Sequence, residues 1–208
     1  MEIKSELLKP YTENQKIDFI VEQNHKNGYE IRETDSTLEA WGYTEEEKQE
    51  QERERLDKLS MTRGDVFEAL ILAKGLTKPQ IRTMIEQAEL DDITKALYLN
   101  RFDEALEFYR GYPIFDMLGQ ALGVTGAMLD KFFEKKDYHY LKTCKLTINA
   151  TPIEATVTGA GDYPYGTIVD VVVECEGYIT HTETVTLTED KTLNITLDEV
   201  VDETNINL

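Results

Sequence analysis

The sequence predicts an α+β protein in two domains: an irregular all-α domain over residues 1–143, then a small antiparallel β-sandwich over residues 144–201. Three observations predict this. Up to about Lys142 the apolar residues recur at helical spacing, and Gly, Pro and capping residues cut that stretch into short segments. From Cys144 onward the apolar residues alternate with Thr, Asn, Asp and Glu, the period of strands with one solvated face. The charge balance shifts at the same place. Residues 1–143 hold 29 acidic and 20 basic residues, a net of −9, whereas residues 144–208 hold 12 and 2, a net of −10.

The first helix opens at the capping box Thr12-Glu-Asn-Gln15, aligns Ile17, Ile20, Val21 and Asn24, and stops at Asn27-Gly28. A short segment, Ser36–Trp41, ends at Gly42. A second capping box, Thr44-Glu-Glu-Glu47, opens a charged helix at about residues 44–59 with no apolar residue between Thr44 and Arg55. Its acid–base pairs at helical spacing suit a solvated helix that connects two packed units or projects as a contact arm.

Packed helices resume at Thr62, with Val66, Ala69, Leu70 and Ala73 on one face and Gly75 as the stop. Thr77-Lys-Pro-Gln80 opens the next, with Pro early in the first turn, where a missing N–H costs little. Its core face is Ile81, Met84, Ile85 and Ala88. Asp91/Asp92 caps a longer helix expected to run through Ile93, Leu97, Phe102, Leu106 and Tyr109 to Gly111. Pro113 and Thr125 open two more, the last carrying Leu129, Phe132 and Phe133. Strands are predicted at Cys144–Asn149, Glu154–Thr158, Ile168–Cys175, Tyr178–Leu187 and Lys191–Leu197, with Gly159–Gly166 as the longest loop. Residues 202–208 read as a flexible tail.

Composition excludes some functions. A net charge of −19 repels nucleic acid and anionic membrane. The helix pairs between residues 62 and 135 carry acidic and apolar side chains where a DNA reader would carry Lys and Arg. No run of ~18 apolar residues spans a membrane, and the start lacks the basic-then-apolar order of a secretion signal. A cytoplasmic site of synthesis is expected. Cys144 and Cys175 share the parity of core residues and read as free thiols.

Catalytic and metal constellations are missing from the pattern, so no enzyme, cofactor or metal is expected. His25, His139 and His181 stand apart from one another and from any ligand-spaced Cys. Gly159-Ala-Gly161 has no helix after it and cannot cradle a phosphate as a dinucleotide loop does. Arg63-Gly-Asp65 falls in a helix's first turn, where Asp65 serves the positive helix end. Trp41 reads as a core anchor. The remaining candidate is a contact loop, Tyr163, Pro164 and Tyr165: sandwich loops are held by the scaffold while their tyrosines stay free to meet carbohydrate or protein. The alternative is that one of these tyrosines closes the end of the small core.

Leu146-Thr-Ile-Asn-Ala-Thr-Pro152, Ala155-Thr-Val157, Pro164-Tyr-Gly-Thr167, Glu176-Gly-Tyr178 and Thr186–Leu197, in that order, resemble PEGA-type bacterial immunoglobulin-like modules. The chain departs from that pattern at Gly159-Ala-Gly161, where an Asn-Gly type of turn is usual. More loosely, Lys9-Pro-Tyr-Thr12, Asp18–Glu22, Phe108-Tyr-Arg-Gly111 and Leu118–Gly123 resemble small helical proteins encoded among bacteriophage tail and tail-fibre genes. The resemblance implies an immunoglobulin-like sandwich and a non-enzymatic, virion-associated structural or assembly protein. It would be made in a bacterial host's cytoplasm and incorporated in the particle. Its partners would be other phage structural proteins, in multiple copies, and host cell-surface carbohydrate or protein. Two alternatives stay open: an acidic inhibitor of a host protein, or a tail-fibre chaperone absent from the particle.

Overall fold

The computed structural model describes residues 1–200, so the tail expected at 202–208 and the last residue of the expected sandwich domain lie outside the described residues. The chain divides into two compact units, one covering Met1–Asp57 and the other beginning at Lys58.

The first unit corrects the all-α expectation for residues 1–143. Strands β1 (Glu2–Leu8), β2 (Glu30–Glu33) and β3 (Thr37–Gly42) form an antiparallel sheet in the order β1-β3-β2. Only β3 has the alternation that marks a strand, with Leu38 and Ala40 fully buried. In β1 a register shift between Ile3 and Ser5 breaks the period of two, and β2 offers one apolar residue, Ile31, among charges. Helix α1 (Glu13–Ile20) begins at Thr12 with both arms of its capping box made and continues as a π-helical turn, Val21–Lys26. It buries no side chain. Helix α2 (Glu45–Asp57) is capped by Thr44 and Glu47 and also buries nothing, as its composition demands.

The second unit opens with helices. They are α3 (Arg63–Lys74), α4 (Lys78–Gln87), α5 (Asp92–Glu104), α6 (Pro113–Leu122) and α7 (Gly126–Lys135). Thr62, Thr77, Asp91 and Thr125 cap α3, α4, α5 and α7, and Gly75 and Gly123 end α3 and α6 in the left-handed conformation. A short ribbon, β4 (Ser60–Thr62) with β5 (Glu107–Tyr109), ties the two ends of the α3–α5 segment together. Phe102, Phe108, Phe115, Phe132 and Phe133 centre one core with Val66, Ile81 and Ile85.

Helix α5 departs from expectation. It stops at Glu104, and its buried residue is Phe102, while Ile93 and Leu97 are 74% and 62% exposed. Leu106 is exposed, and Phe108 rather than Tyr109 enters the core from β5. The stretch from Ile93 to Tyr109 therefore combines a helix and a strand with different inward faces, which one helical period cannot describe.

A 3₁₀ turn, Tyr138–Leu141, leads into six strands rather than five: β6 (Thr143–Thr151), β7 (Thr156–Thr158), β8 (Gly161–Pro164), β9 (Thr167–Glu174), β10 (His181–Leu187) and β11 (Lys191–Thr196). They form two three-stranded sheets, β10-β9-β7 and β11-β6-β8, whose inner faces share the core of Leu146, Val171, Val173, Val185, Leu187 and Ile195. The strand pairing is antiparallel except between β11 and β6, which run parallel. The first and last strands of this region are joined by all the others, a connection long enough for a parallel pair. Four residues of the expected loop Gly159–Gly166 are thus strand β8.

Candidate functional site

Tyr163 and Tyr165, expected in one loop, both pack half-buried against the sandwich core and differ in their other partners. Tyr163, on β8, packs half-buried against the sandwich core and donates its hydroxyl to the Gly159 carbonyl at 2.9 Å. Pro164 is exposed. Tyr165 follows in the tight turn to β9, where its backbone N–H donates to the Lys142 carbonyl at 3.1 Å and Thr167 Oγ1 donates to the Pro164 carbonyl at 2.7 Å. Gly166 takes φ +79°, which a glycine adopts without strain, and its N–H donates to the Leu187 carbonyl at 2.6 Å. A Cβ there would lie 3.6 Å from the Tyr140 ring.

This turn directs Tyr165 at the 3₁₀ turn. Asp137 caps that turn by accepting from the His139 N–H at 2.9 Å, and its Oδ1 also lies 2.7 Å from His139 Nδ1. The backbone N–H and the neighbouring ring nitrogen hold the Asp137 carboxyl below the usual carboxylate range. With its orientation set, the His139 ring stacks between Tyr138, at 4.1 Å between centroids, and Tyr165, at 5.1 Å. Tyr140 meets Tyr165 edge-on, at 5.4 Å and 89°. The Lys142 ammonium lies 4.8 Å over Tyr138. His139, read from the sequence as an isolated structural residue, is the centre of this aromatic stack.

Beside the stack is a surface cleft of about 90 Å³, lined by Met128 and Lys131 of α7 together with Tyr140, Pro164, Tyr165 and Thr167. The spacing of these residues gave no warning of it, because Lys131 and Tyr165 meet only through the fold. Its volume is well under the ~300 Å³ at which small-molecule pockets begin. It can seat one edge of a ligand but not enclose one.

The other candidates are dispersed. His25 is exposed, and His181 lies on edge strand β10 with its Nε2 3.5 Å from Glu183. Trp41 is half-buried on β3, donating from Nε1 to Glu39 at 2.7 Å under the Arg32 guanidinium. Asp65 donates its backbone N–H to the Thr62 hydroxyl in the first turn of α3. Cys144, buried, and Cys175, half-buried, are both free thiols. Burial, with Asp190 and Glu189 nearby, pushes the Cys144 thiol up. Among the described residues no group of three His, Cys, Asp or Glu side chains could hold a metal ion, and no helix is long and apolar enough to cross a membrane. No family model, curated protein or solved structure matches this chain.

Proposed function

We propose that this chain is a non-enzymatic bacteriophage structural or assembly protein, in which the helices dock on a virion component and an immunoglobulin-like sandwich is presented outward. The observation that carries the reading is how the sandwich is attached. It is fastened to the helices at its Lys142–Tyr165 end by a backbone hydrogen bond and an aromatic stack. Away from that end, Thr156, Thr158, Thr182, Thr184 and Thr196 stand exposed along its strands. A firm joint at one end and a hydroxyl-bearing surface elsewhere suit a module held out on a support. Partners of this kind would be other virion proteins in repeated copies.

Mass spectrometry and cryo-electron microscopy of purified particles from the bacterial host test it. The expected result is the chain present at a fixed copy number per particle. Its absence from particles whose assembly nevertheless requires it would overturn the structural version in favour of a tail-fibre chaperone.

A second reading rests on a different observation. Glu154, Asp162, Asp170, Glu174, Glu176, Glu189, Asp190 and Asp198 are all exposed on the sandwich, a surface suited to a basic host protein. Capture from host lysate at rising salt separates the two. A specific inhibitor keeps one partner at moderate salt, whereas a merely acidic surface loses all of them.

A further inference from the structure

We propose that the cleft between α7 and the β8–β9 turn is a binding site for one neutral pyranose ring of a surface glycan. The proposal goes beyond virion residence and does not depend on it.

The walls of the cleft are a rigid aromatic corner. Tyr165 is fixed by the His139 stack, by the edge of Tyr140 and by its backbone bond to Lys142. Side chains already immobilised lose little entropy when a ligand arrives. An aromatic corner offers apolar ring faces to the C–H face of a sugar, and its tyrosines add polar handles. The polar complement is unspent. Among the described residues Lys131 has no ion-pair partner, and no hydrogen bond engages the hydroxyl of Tyr140 or of Tyr165. Three donors beside two aromatic rings match a molecule that is apolar on one face and hydroxylated at its edge.

Charge selects the neutral class. The chain carries a net −19, and one ammonium does not offset that field for a polyanionic glycan, whose repeating charges extend past the ~8 Å screening length. Size limits the contact to a single residue of the glycan, since about 90 Å³ accepts only one edge of a ring. A weak, millimolar affinity follows, made useful by many copies.

The test is an amide and side-chain NMR titration of the full chain with methyl galactoside, methyl glucoside and N-acetylglucosamine, with glucuronic acid as the anionic comparison. At least one neutral sugar should shift signals of Met128, Lys131, Tyr140 and Tyr165 together. Lys131→Met, Tyr140→Phe and Tyr165→Phe each remove a donor while leaving the stacked rings, and each should weaken that response about two- to tenfold at an unchanged melting temperature. The proposal is overturned by silence toward all three neutral sugars, by shifts scattered outside the cleft, or by a stronger response to glucuronic acid. Failure here leaves virion residence standing, and absence from particles leaves the titration standing.

Discussion

Arg110 donates from Nε to Asp130 Oδ1 at 2.6 Å, with the guanidinium side chain 3% exposed and the carboxylate 22%. Arg110 directly follows β5, and Asp130 lies midway along α7, so one charged hydrogen bond joins elements twenty residues apart. A second carboxylate, Asp116 on α6, approaches Nη2 at 2.9 Å but is 61% exposed. A buried guanidinium is tolerable only while its charge is matched.

The two carboxylates should therefore differ sharply on removal. Asp130→Ala leaves the buried cation with one solvated partner and should cost about 3 kcal/mol, the lower end of the range for breaking a buried pair. Asp116→Ala should cost less than about 1 kcal/mol, as for an exposed pair. Urea midpoints at a constant slope measure both. A larger loss for Asp116→Ala would show that the buried pairing is not with Asp130.

Glu33 gives the first unit a dependence on acid. Hydrogen bonds from Lys16, then Tyr11, then Lys9 lower its carboxyl from the ordinary 4.5 to about 2. Because the folded value is the lower one, the stabilisation is fully present above pH 4.5 and is lost as pH falls from there toward about 2. The group is exposed, so the effect should shrink in high salt. Carboxyl-detected NMR should place the Glu33 midpoint near 2, and Lys16→Met should move it toward the ordinary value. A wild-type midpoint above 4 would remove Glu33 from the acid response.

How much of this was legible differs by element, for physical reasons. Helix starts were legible because Thr12, Thr44 and Asp91 accept from backbone N–H groups within three residues, and Gln80 accepts from the Thr77 N–H, all local interactions. The sheet of the first unit was not: β2 spends three of its four residues on charge, and β1 carries a bulge. The aromatic corner was half-legible. Tyr165 stood out, but its partners His139 and Tyr140 lie outside any local window, and the β6–β8 pairing with the Lys142–Tyr165 backbone bond at its end brings them together. Helix α5 misled because Ile93 and Leu97 share a helical face with each other but not with Phe102.

That last correction is directly testable. Leu97→Gln removes an outward leucine that is 62% exposed and should change stability by no more than about 0.5 kcal/mol. Phe102→Ala removes a ring that is 2% exposed and stacked edge-on against Phe67 at 5.0 Å, and should cost about 3–5 kcal/mol. Thermal melts of the two variants compare them. Equal losses would mean that α5 is rotated from the orientation described.

Two helical glycines should respond oppositely to alanine. At Gly119, on α6, a Cβ would stand 2.8 Å from the Val124 carbonyl oxygen and 3.0 Å from Leu129 Cδ1. The first obstacle is backbone, held by the Val124 N–H bond to Gly119's own carbonyl at 2.8 Å, so neither partner can retreat cheaply. At Gly126, the first residue of α7, a Cβ would meet only an Arg110 nitrogen at 3.5 Å, an ordinary contact. Alanine lowers the conformational entropy of the unfolded chain at both places, a gain of about 0.4–1 kcal/mol where the site accepts it. Gly126→Ala should keep that gain. Gly119→Ala should lose it to overpacking of about 1–3 kcal/mol and emerge destabilised. Denaturant titration of the pair reads the signs, and a stabilised Gly119→Ala variant would mean that α6 and α7 sit farther apart than the close approach at Gly119 requires.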